Sequence, residues 1–442
     1  MISVEELYTL YKKCSGITTD SRKIQDGVMF FALRGENFDG NDFALDALKA
    51  GARYAVVDRI LLRGTEYRGR KCIVVENALE MLQNLAAYHR RQLDIPVIGI
   101  TGTNGKTTTK ELVAAVLSKK YDIVATQDNF NNHIGVPLTL FRLNERTEIA
   151  VVEMGASAPG EIAALTKIVQ PNCGLITTVG KAHLQGFGSF EGVKKAKGEL
   201  YDSLRQAGGV VFYNADNAVL CGMVANRPGL CIRKYGVREQ GVRILPATAE
   251  SPFLRMEMTH EGQTVTLSTH LVGDYNADNV MAALAIAAYF DVPFNKAAAA
   301  IEGYIPSNSR SQLLKTAHNT LIIDAYNANP SSMRAALDNF AATDFPDKVL
   351  MLGEMRELGA DAAAEHLAIL QQAVDVTAEI FLVGNGFAQA AASLPASCRA
   401  SVRSFPDIDG LKAWIAEHPL EGCTILIKGS NGNRMQNVVE LL

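Results

Sequence analysis

The stretch that decides the fold reads Val97-Ile-Gly-Ile-Thr-Gly-Thr-Asn-Gly-Lys-Thr-Thr-Thr-Lys110. Its apolar start predicts a buried strand, its glycines predict a tight turn, and residues 108–117 have the spacing of a helix. Main-chain N–H groups in such a turn, together with the positive end of the helix, form a cradle for phosphate oxygens. The stretch therefore predicts a parallel α/β sheet that carries a phosphate-binding loop.

Two side chains of this loop suit phosphate chemistry. Lys106 supplies a positive charge for the outer phosphates, and the Thr107 hydroxyl is a suitable Mg²⁺ ligand. The match to G-x-x-x-x-G-K-[ST] is incomplete because Ile100 occupies the first glycine position. A glycine-rich turn before an ordinary threonine-rich helix is the alternative, but the strand–loop–helix order favours phosphate binding. The candidate nucleotide contacts are Gly102, Thr103, Asn104, Gly105, Lys106, Thr107 and Thr108.

The same strand–turn–helix order recurs along the chain, which predicts parallel sheets with helices on both faces. The chain of 442 residues is also too long for one hydrophobic core, so several domains are expected. Alternation from 228 to 272 predicts antiparallel strands. The other expected strands lie at 28–33, 54–57, 73–75, 97–100, 149–152, 174–178, 209–213, 320–323, 348–352, 379–383 and 424–427.

Two breaks divide this pattern. A helix that begins near residue 78 leads into the second sheet, and the polar stretch 305–310 is a candidate linker and hinge. The sequence therefore predicts three domains, at 1–78, 79–309 and 310–442.

Composition excludes several classes of function. Lys and Arg number 43 against 47 Asp and Glu, a net charge of −4, so the chain lacks the basic field of a nucleic-acid binder. The start of the chain does not resemble a secretory signal, and no apolar run is long enough for a membrane span. The seven cysteines are scattered and odd in number, which is typical of reduced thiols. We expect a cytoplasmic protein.

Three polar residues follow strands of the predicted middle sheet. Glu153 ends the strand at 149–152, His183 follows the strand at 174–178, and Lys197 lies in a lysine-rich helix. The carboxyl ends of parallel strands share one edge, where ligands bind, so Glu153 can face the phosphates and hold Mg²⁺. A turn-capping acid, a surface histidine and a solvated helix face are the respective alternatives. Together the three signals favour one site at this edge.

These residues resemble the Mur ligases, which form amide bonds at the expense of ATP during peptidoglycan precursor synthesis. The GTNGKTTTK loop, VVEMG around Glu153, the Ala-His pair at His183 and the AKGELY stretch stand in the family's order. The stretches TTDSR at 18–22 and NFDG at 37–40 resemble the family's UDP-binding first domain. DNFNNHIGVP at 128–137, DAYNANP at 324–330 and GEMRELG at 353–359 resemble the member that adds D-Ala-D-Ala.

The resemblance implies a fold, substrates and roles. It implies a small UDP-binding α/β domain, a central P-loop domain and a Rossmann-like C-terminal domain, acting as a monomer on UDP-N-acetylmuramoyl tripeptide and D-Ala-D-Ala. The implied catalytic residues are Lys106, His183 and Lys197. The implied ATP contacts are Asn279, Arg310 and Asp324. The implied Mg²⁺ ligands, for two ions, are Thr107, Glu153, His183 and Lys197, the last as a carbamate. The implied substrate contacts are Ser21, Arg22, Asn131, Asn132, Asn329, Lys428 and Ser430.

Two positions depart from the family's pattern. Ser309 stands where glycine is expected before Arg310, and Asn431 follows Lys428-Gly-Ser430 where a basic residue is frequent. We expect Arg434 to replace that basic residue.

Other functions stay open at this point. The alternatives are the Mur ligase that adds the third amino acid, the related folate polyglutamate ligase, a P-loop switch or motor without ligase activity, and a nucleotide-binding scaffold.

Overall fold

The computed structural model describes residues 2–59, 71–307, 309–399 and 401–442. Within these ranges the strands form a four-stranded sheet, two six-stranded sheets and a three-stranded sheet. Helices separate most of the strands, so the α/β class is confirmed. The exact boundaries at 78 and 309 stay predictions.

The N-terminal part is built on a parallel sheet in the order β1-β2-β3-β4. Leu7 and Leu82 pack on one face of this sheet, and Ala44 and Ala47 pack on the other. The strands predicted here and the helix from 78 are confirmed. The elements are α1 (Val4–Tyr11), β1 (Ile17–Thr18), β2 (Met29–Phe31), α2 (Ala44–Lys49), β3 (Tyr54–Val57), β4 (Cys72–Val74) and α3 (Ala78–Arg91).

The middle part contains a parallel sheet in the order β10-β9-β8-β5-β7-β6. The central strand β5 pairs Ile100 with Glu153 of β7 and with Leu175 of β8, so the three strands end at one edge. The elements are β5 (Val97–Thr101), α4 (Lys106–Leu117), β6 (Ile123–Ala125), α5 (Gly135–Leu140), β7 (Ile149–Glu153), α6 (Glu161–Val169), β8 (Cys173–Ile176), α7 (Leu184–Phe187), α8 (Phe190–Ala207), β9 (Val210–Asn214), α9 (Ala218–Ala225) and β10 (Cys231–Tyr235).

One prediction is wrong at the edge of this sheet. The segment 228–272 is expected to be antiparallel throughout, but β10 pairs with β9 in parallel. The reason is the helix α9 between them, because a helical crossover returns the chain in the same direction. Antiparallel pairing begins only with β11 (Arg243–Leu245), β12 (Phe253–His260) and β13 (Gln263–Val272), and is followed by α10 (Ala277–Tyr289) and α11 (Phe294–Glu302).

The C-terminal part has a sheet in the order β14-β15-β19-β16-β17-β18, in which only the β14–β15 pair is antiparallel. The strands predicted here are confirmed, and the edge strands β14 and β18 were not predicted. The elements are β14 (Gln312–Lys315), β15 (Thr320–Asp324), α12 (Pro330–Ala342), β16 (Lys348–Gly353), α13 (Ala362–Val376), β17 (Ile380–Val383), α14 (Asn385–Ala392), α15 (Ala396–Arg399), β18 (Val402–Phe405), α16 (Ile408–Glu417) and β19 (Thr424–Lys428).

The linker before β14 explains one departure from the family pattern. Ser309 has φ of +55°, in the left-handed region that favours glycine, and its carbonyl accepts a hydrogen bond from Ala325 N at 3.0 Å. Ser309 therefore adopts the conformation for which glycine is expected at this position. Among the helices in the described ranges, none is long and apolar enough to cross a lipid bilayer.

Candidate active site

The phosphate loop lies between β5 and α4, and two glycines determine its path. Gly102 has φ of +148°, and a Cβ there would lie 2.0 Å from the Thr177 hydroxyl; Gly105 has φ of +80° and precedes the first turn of α4. Lys106 Nζ donates hydrogen bonds to the carbonyl oxygens of Gly102, at 3.0 Å, and Thr103, at 3.1 Å. The Lys106 ammonium therefore lies over the loop that the sequence predicts to bind phosphate.

Glu153 lies directly beside this loop. Its carboxylate is only 1% exposed and accepts hydrogen bonds from the Thr107 hydroxyl, at 2.9 Å, and from Asn131 Nδ2, at 2.8 Å. Burial lowers the pKa of Lys106, and the nearby Glu153 carboxylate opposes this effect. The structure thus brings together the acid, the hydroxyl and the lysine that the sequence analysis selected.

Lys197 lies on α8 and is 2% exposed. Its Nζ donates to the Ala156 carbonyl oxygen at 3.3 Å and lies 5.4 Å from the centroid of the Phe187 ring. Burial, assisted by the charge of Lys106, lowers the pKa of Lys197 to about 7. A substantial fraction of this amine is therefore uncharged near neutral pH.

His183 directly precedes α7, as its N-cap residue, and contacts the C-terminal part of the chain. Its Nδ1 pairs with the carboxylate of Glu357, which lies in the C-terminal part between β16 and α13. The Gln185 N–H also donates to the Glu357 carbonyl oxygen, at 3.3 Å. In this arrangement His183 joins the middle and C-terminal parts.

Asn279, on α10, packs against the phosphate loop and the first turn of α4. Its Oδ1 accepts a hydrogen bond from the Thr109 hydroxyl at 2.9 Å, and a Cβ on Gly105 would lie 2.5 Å from the same oxygen. The N-terminal turn of α10 is therefore packed tightly against the phosphate loop.

The C-terminal part contributes the opposite wall. The Arg310 guanidinium stacks on the Tyr326 ring, 3.8 Å from its centroid. Lys428 is buried and forms an ion pair with Asp324, and the Ser430 hydroxyl donates to the Glu354 carbonyl oxygen at 3.1 Å. Lys428 and Ser430 thus have protein partners in this structure.

Polar contacts connect the two walls. Asn104 and Asn329 exchange amide hydrogen bonds, the shorter of which runs from Asn329 Nδ2 to Asn104 Oδ1 at 2.7 Å. Lys181 of the middle part lies 2.8 Å from a carboxylate oxygen of Glu365 on α13, which also accepts from Arg334 at 2.6 Å. The middle and C-terminal parts therefore face each other across a shared space.

That space is a cleft of about 1010 Å³. Of the sequence-predicted site residues, Ser21, Arg22 and Thr107 do not line it: Arg22 is an exposed partner of Asp20, and Thr107 points to Glu153. The predicted residues that do line it are Gly102, Thr103, Asn104, Gly105, Lys106, Thr108, Asn131, Asn132, Glu153, His183, Lys197, Asn279, Arg310, Asp324, Asn329, Lys428 and Ser430. Their individual roles stay predictions.

The cleft is also lined by residues that the sequence analysis did not select as candidates, and three of them have side chains suited to binding. Tyr326, Arg356 and Glu357 line it together with the predicted residues. Tyr326 belongs to the DAYNANP string and the other two to GEMRELG, the strings that carry the family resemblance. The signal was present, but only the structure shows which side chains reach the cleft.

Whether these residues can bind Mg²⁺ depends on the oxygen ligands that they offer. Within the described ranges, no group of three or more His, Cys, Asp and Glu side chains is arranged to hold a metal ion. The buried Glu153 carboxylate beside the Thr107 hydroxyl nevertheless supplies oxygen ligands next to the phosphate loop. The residues present fit a cation that shares its coordination with phosphate oxygens and water.

This arrangement, in which a phosphate loop faces a second α/β unit across a polar cleft, is that of a nucleotide-dependent enzyme. Family models match three segments: the Mur ligase family catalytic domain at 13–90, the Mur ligase middle domain at 100–287 and the Mur ligase glutamate ligase domain at 309–431. The chain belongs to the Mur ligase family.

Within the family, the chain is most informatively compared with individual ligases. The chain is 35% identical to UDP-N-acetylmuramoyl-tripeptide–D-alanyl-D-alanine ligase of Bacillus subtilis, over 96% of this chain and 92% of the relative. It is 34% identical to the ligase of the same name from Escherichia coli, over 96% and 93%. A crystal structure of MurF from Acinetobacter baumannii is similar at a TM-score of 0.85 and 27% identity, over 99% and 98% of the two chains.

Proposed function

We propose that the chain is an ATP-dependent ligase that joins D-Ala-D-Ala to UDP-N-acetylmuramoyl tripeptide during peptidoglycan precursor synthesis, forming ADP and phosphate. One observation carries the proposal. A single cleft is lined by the phosphate loop on one wall and by the ends of β15, β16 and β19 on the other, in a chain that matches ligases of this name over nearly its whole length. A nucleotide switch has no need of the second wall.

In the first step, an oxygen of the tripeptide's terminal carboxylate attacks the γ-phosphorus of ATP. The bond to the β,γ-bridging oxygen breaks, ADP leaves, and an acyl phosphate remains. This step is needed because a carboxylate repels nucleophiles, whereas an acyl phosphate has a good leaving group. Phosphoryl transfer depends mainly on positioning and on neutralising charge. The loop N–H groups and Lys106 do both, with Asn279, Arg310 and Asp324 as further ATP contacts.

We propose that Thr107, Glu153, His183 and a carbamylated Lys197 hold Mg²⁺, as two ions, which when bound neutralises charge on the phosphates. The uncharged fraction of the buried Lys197 amine supports the carbamate, because only an uncharged amine adds CO₂. For His183 to act as a ligand, its Nδ1 has to leave Glu357 or its other ring nitrogen has to serve.

In the second step, the free amine of D-Ala-D-Ala attacks the acyl carbon. The tetrahedral intermediate expels phosphate, the amine loses a proton to a base, and the amide bond is complete. Water must be excluded because acyl phosphates hydrolyse. The contacts of Asn104 with Asn329 and of Lys181 with Glu365 hold the walls together, and we propose 305–310 as the hinge.

The remaining assignments follow the three proposed domains, 1–78, 79–309 and 310–442. Ser21 and Arg22 would contact the UDP moiety, Asn131 and Asn132 the muramoyl peptide, and Asn329, Lys428 and Ser430 the dipeptide. We propose a monomer in the cytoplasm.

The proposal is tested by measuring ADP release with UDP-muramoyl tripeptides that differ in their third residue. ADP is expected only when tripeptide and D-Ala-D-Ala are both present. Oxygen-18 in the tripeptide's terminal carboxylate is expected to appear in the released phosphate. Turnover with UDP-muramoyl dipeptide and a free diamino acid, in place of the tripeptide and D-Ala-D-Ala, would support the ligase that adds the third residue. Hydrolysis that is independent of the muramoyl peptide would support a nucleotide switch.

A further inference from the structure

The C-terminal wall of the cleft carries three cations, and two of them are already engaged. Lys428 forms an ion pair with Asp324 and is 1% exposed. The Arg310 guanidinium is stacked on the Tyr326 ring, 3.8 Å from its centroid, and is already proposed above as an ATP contact. The third cation is Arg356.

Arg356 lies in the segment after β16 and lines the cleft. Its Nη2 donates to the Gly432 carbonyl oxygen at 3.2 Å, and it is an exposed side chain. Among the residues that the structure describes, no carboxylate pairs with this guanidinium. Arg356 can therefore accept an anion from the cleft without first giving up an ion pair.

Arg356 lies against the turn that contains Asn431, one of the two positions that depart from the family pattern. The guanidinium lies across the turn that follows Lys428-Gly-Ser430, so closely that a Cβ on Gly432 would lie 2.1 Å from Arg356 Nη1. Asn431, where a basic residue is frequent, lines the cleft beside it. Arg434, the replacement expected from sequence, does not line the cleft.

We propose that Arg356 binds the C-terminal carboxylate of the incoming dipeptide, in place of a basic residue at position 431. The inference rests on the proposed ligase function. The dipeptide reacts through its amine, so its carboxylate is carried unchanged into the product and needs a partner in the closed cleft. A guanidinium presents two parallel N–H groups to a carboxylate, a geometry that the compact ammonium of the paired Lys428 cannot offer.

The first test replaces Arg356 with Gln. We expect kcat/KM for D-Ala-D-Ala to fall about 10- to 100-fold, the range for a lost charge-assisted hydrogen bond, with most of the change in the dipeptide KM. The KM values for ATP and UDP-muramoyl tripeptide should stay unchanged. Arg434→Asn is the matched control: it removes a nearby exposed arginine and suits the left-handed backbone there (φ +53°). It should leave every constant unchanged.

The second test changes the ligand. D-Ala-D-Ala with a C-terminal carboxamide should be a poorer substrate than the dipeptide for the wild type, by a factor similar to that of Arg356→Gln, whereas the variant should use both equally. Adding Asn431→Arg to Arg356→Gln should restore part of the loss. A loss of kcat with unchanged dipeptide KM, or equal discrimination by wild type and variant, would overturn the inference. Failure of the wild type to use D-Ala-D-Ala at all would instead overturn the proposed function.

Discussion

The two walls of the cleft are built differently. On the middle wall, the loop at 102–108 and the acid at Glu153 come from adjacent strands, and their side chains bind one another or the loop itself. On the C-terminal wall, Asp324, Arg356 and Lys428 come from three strand ends that are far apart in sequence. The first wall thus takes most of its candidate groups from one contiguous loop, whereas the second takes single side chains from three neighbouring strands, β15, β19 and β16. Polar contacts such as that between Asn104 and Asn329 join the two walls, and Val272 of the middle part packs in the apolar core of the C-terminal part.

If the middle wall carries out the phosphoryl transfer, replacing Lys106 should have the largest effect on the catalytic rate. Lys106→Ala should lower kcat by a factor on the order of 100 to 1000 or more, because it removes charge stabilisation at the transferring phosphoryl group. The fold should survive, as judged by circular dichroism and thermal unfolding. Lys119→Ala, at an exposed lysine just after α4, should keep normal turnover. Normal turnover in Lys106→Ala would refute the loop assignment.

A substitution at Lys197 distinguishes two roles for this residue, a carbamate that binds metal and an ordinary buried lysine. Lys197→Ala should lose most of its activity, and short carboxylates such as acetate or formate should restore part of it, since they supply the missing anionic oxygens. Removing the ammonium itself should not destabilise the fold, because burial without an ion pair disfavours the charged form.

The control lies on the same helix: Lys195→Ala removes an exposed lysine and should change neither activity nor its response to carboxylates. Activity of Lys197→Ala at the wild-type level without added acid would remove this residue from the site.

The difference between a contiguous loop and a wall assembled from separate segments also explains how much of the fold the sequence could predict. The strand before Gly102, the loop and the strand that ends at Glu153 each have a contiguous pattern, so their existence and their common edge follow from general rules for parallel sheets. The strand β10 was assigned the wrong direction because its pairing depends on the crossover helix α9, and local alternation cannot report that helix.

The site shows the same limit. Tyr326 and Arg356 lie in strings that the sequence analysis singled out, but nothing local distinguishes a side chain that faces the cleft from one that faces away. The pairing of Lys428 with Asp324 was also not predictable, since 104 positions separate the two residues. Roles that depend on long-range packing required the structure.

The contact between the walls should have the smallest effect of the three, and we expect it in the free energy of unfolding and not in the chemical step. Burial opposes ionisation of Glu365, but hydrogen bonds from Lys181 and Arg334 outweigh it and lower the pKa of the carboxyl group. The carboxylate therefore stabilises the folded state above the unfolded pKa of about 4.3, and this contribution is lost as the pH falls through the folded pKa. Glu365→Gln should cost about 1–2 kcal/mol of unfolding free energy at neutral pH, because both cations stay partly hydrated.

Denaturant unfolding at several pH values measures this effect, and the difference between wild type and Glu365→Gln should shrink below about pH 4. The matched control is Glu191→Gln, which breaks an exposed ion pair with Lys194 within one helix and should cost less than about 0.5 kcal/mol. A double-mutant cycle with Lys181→Met isolates the contact that crosses the cleft. A coupling energy of zero in that cycle would mean that Glu365 stabilises only the C-terminal part, through Arg334, and that other contacts hold the walls together, such as the Asn104–Asn329 and His183–Glu357 pairs.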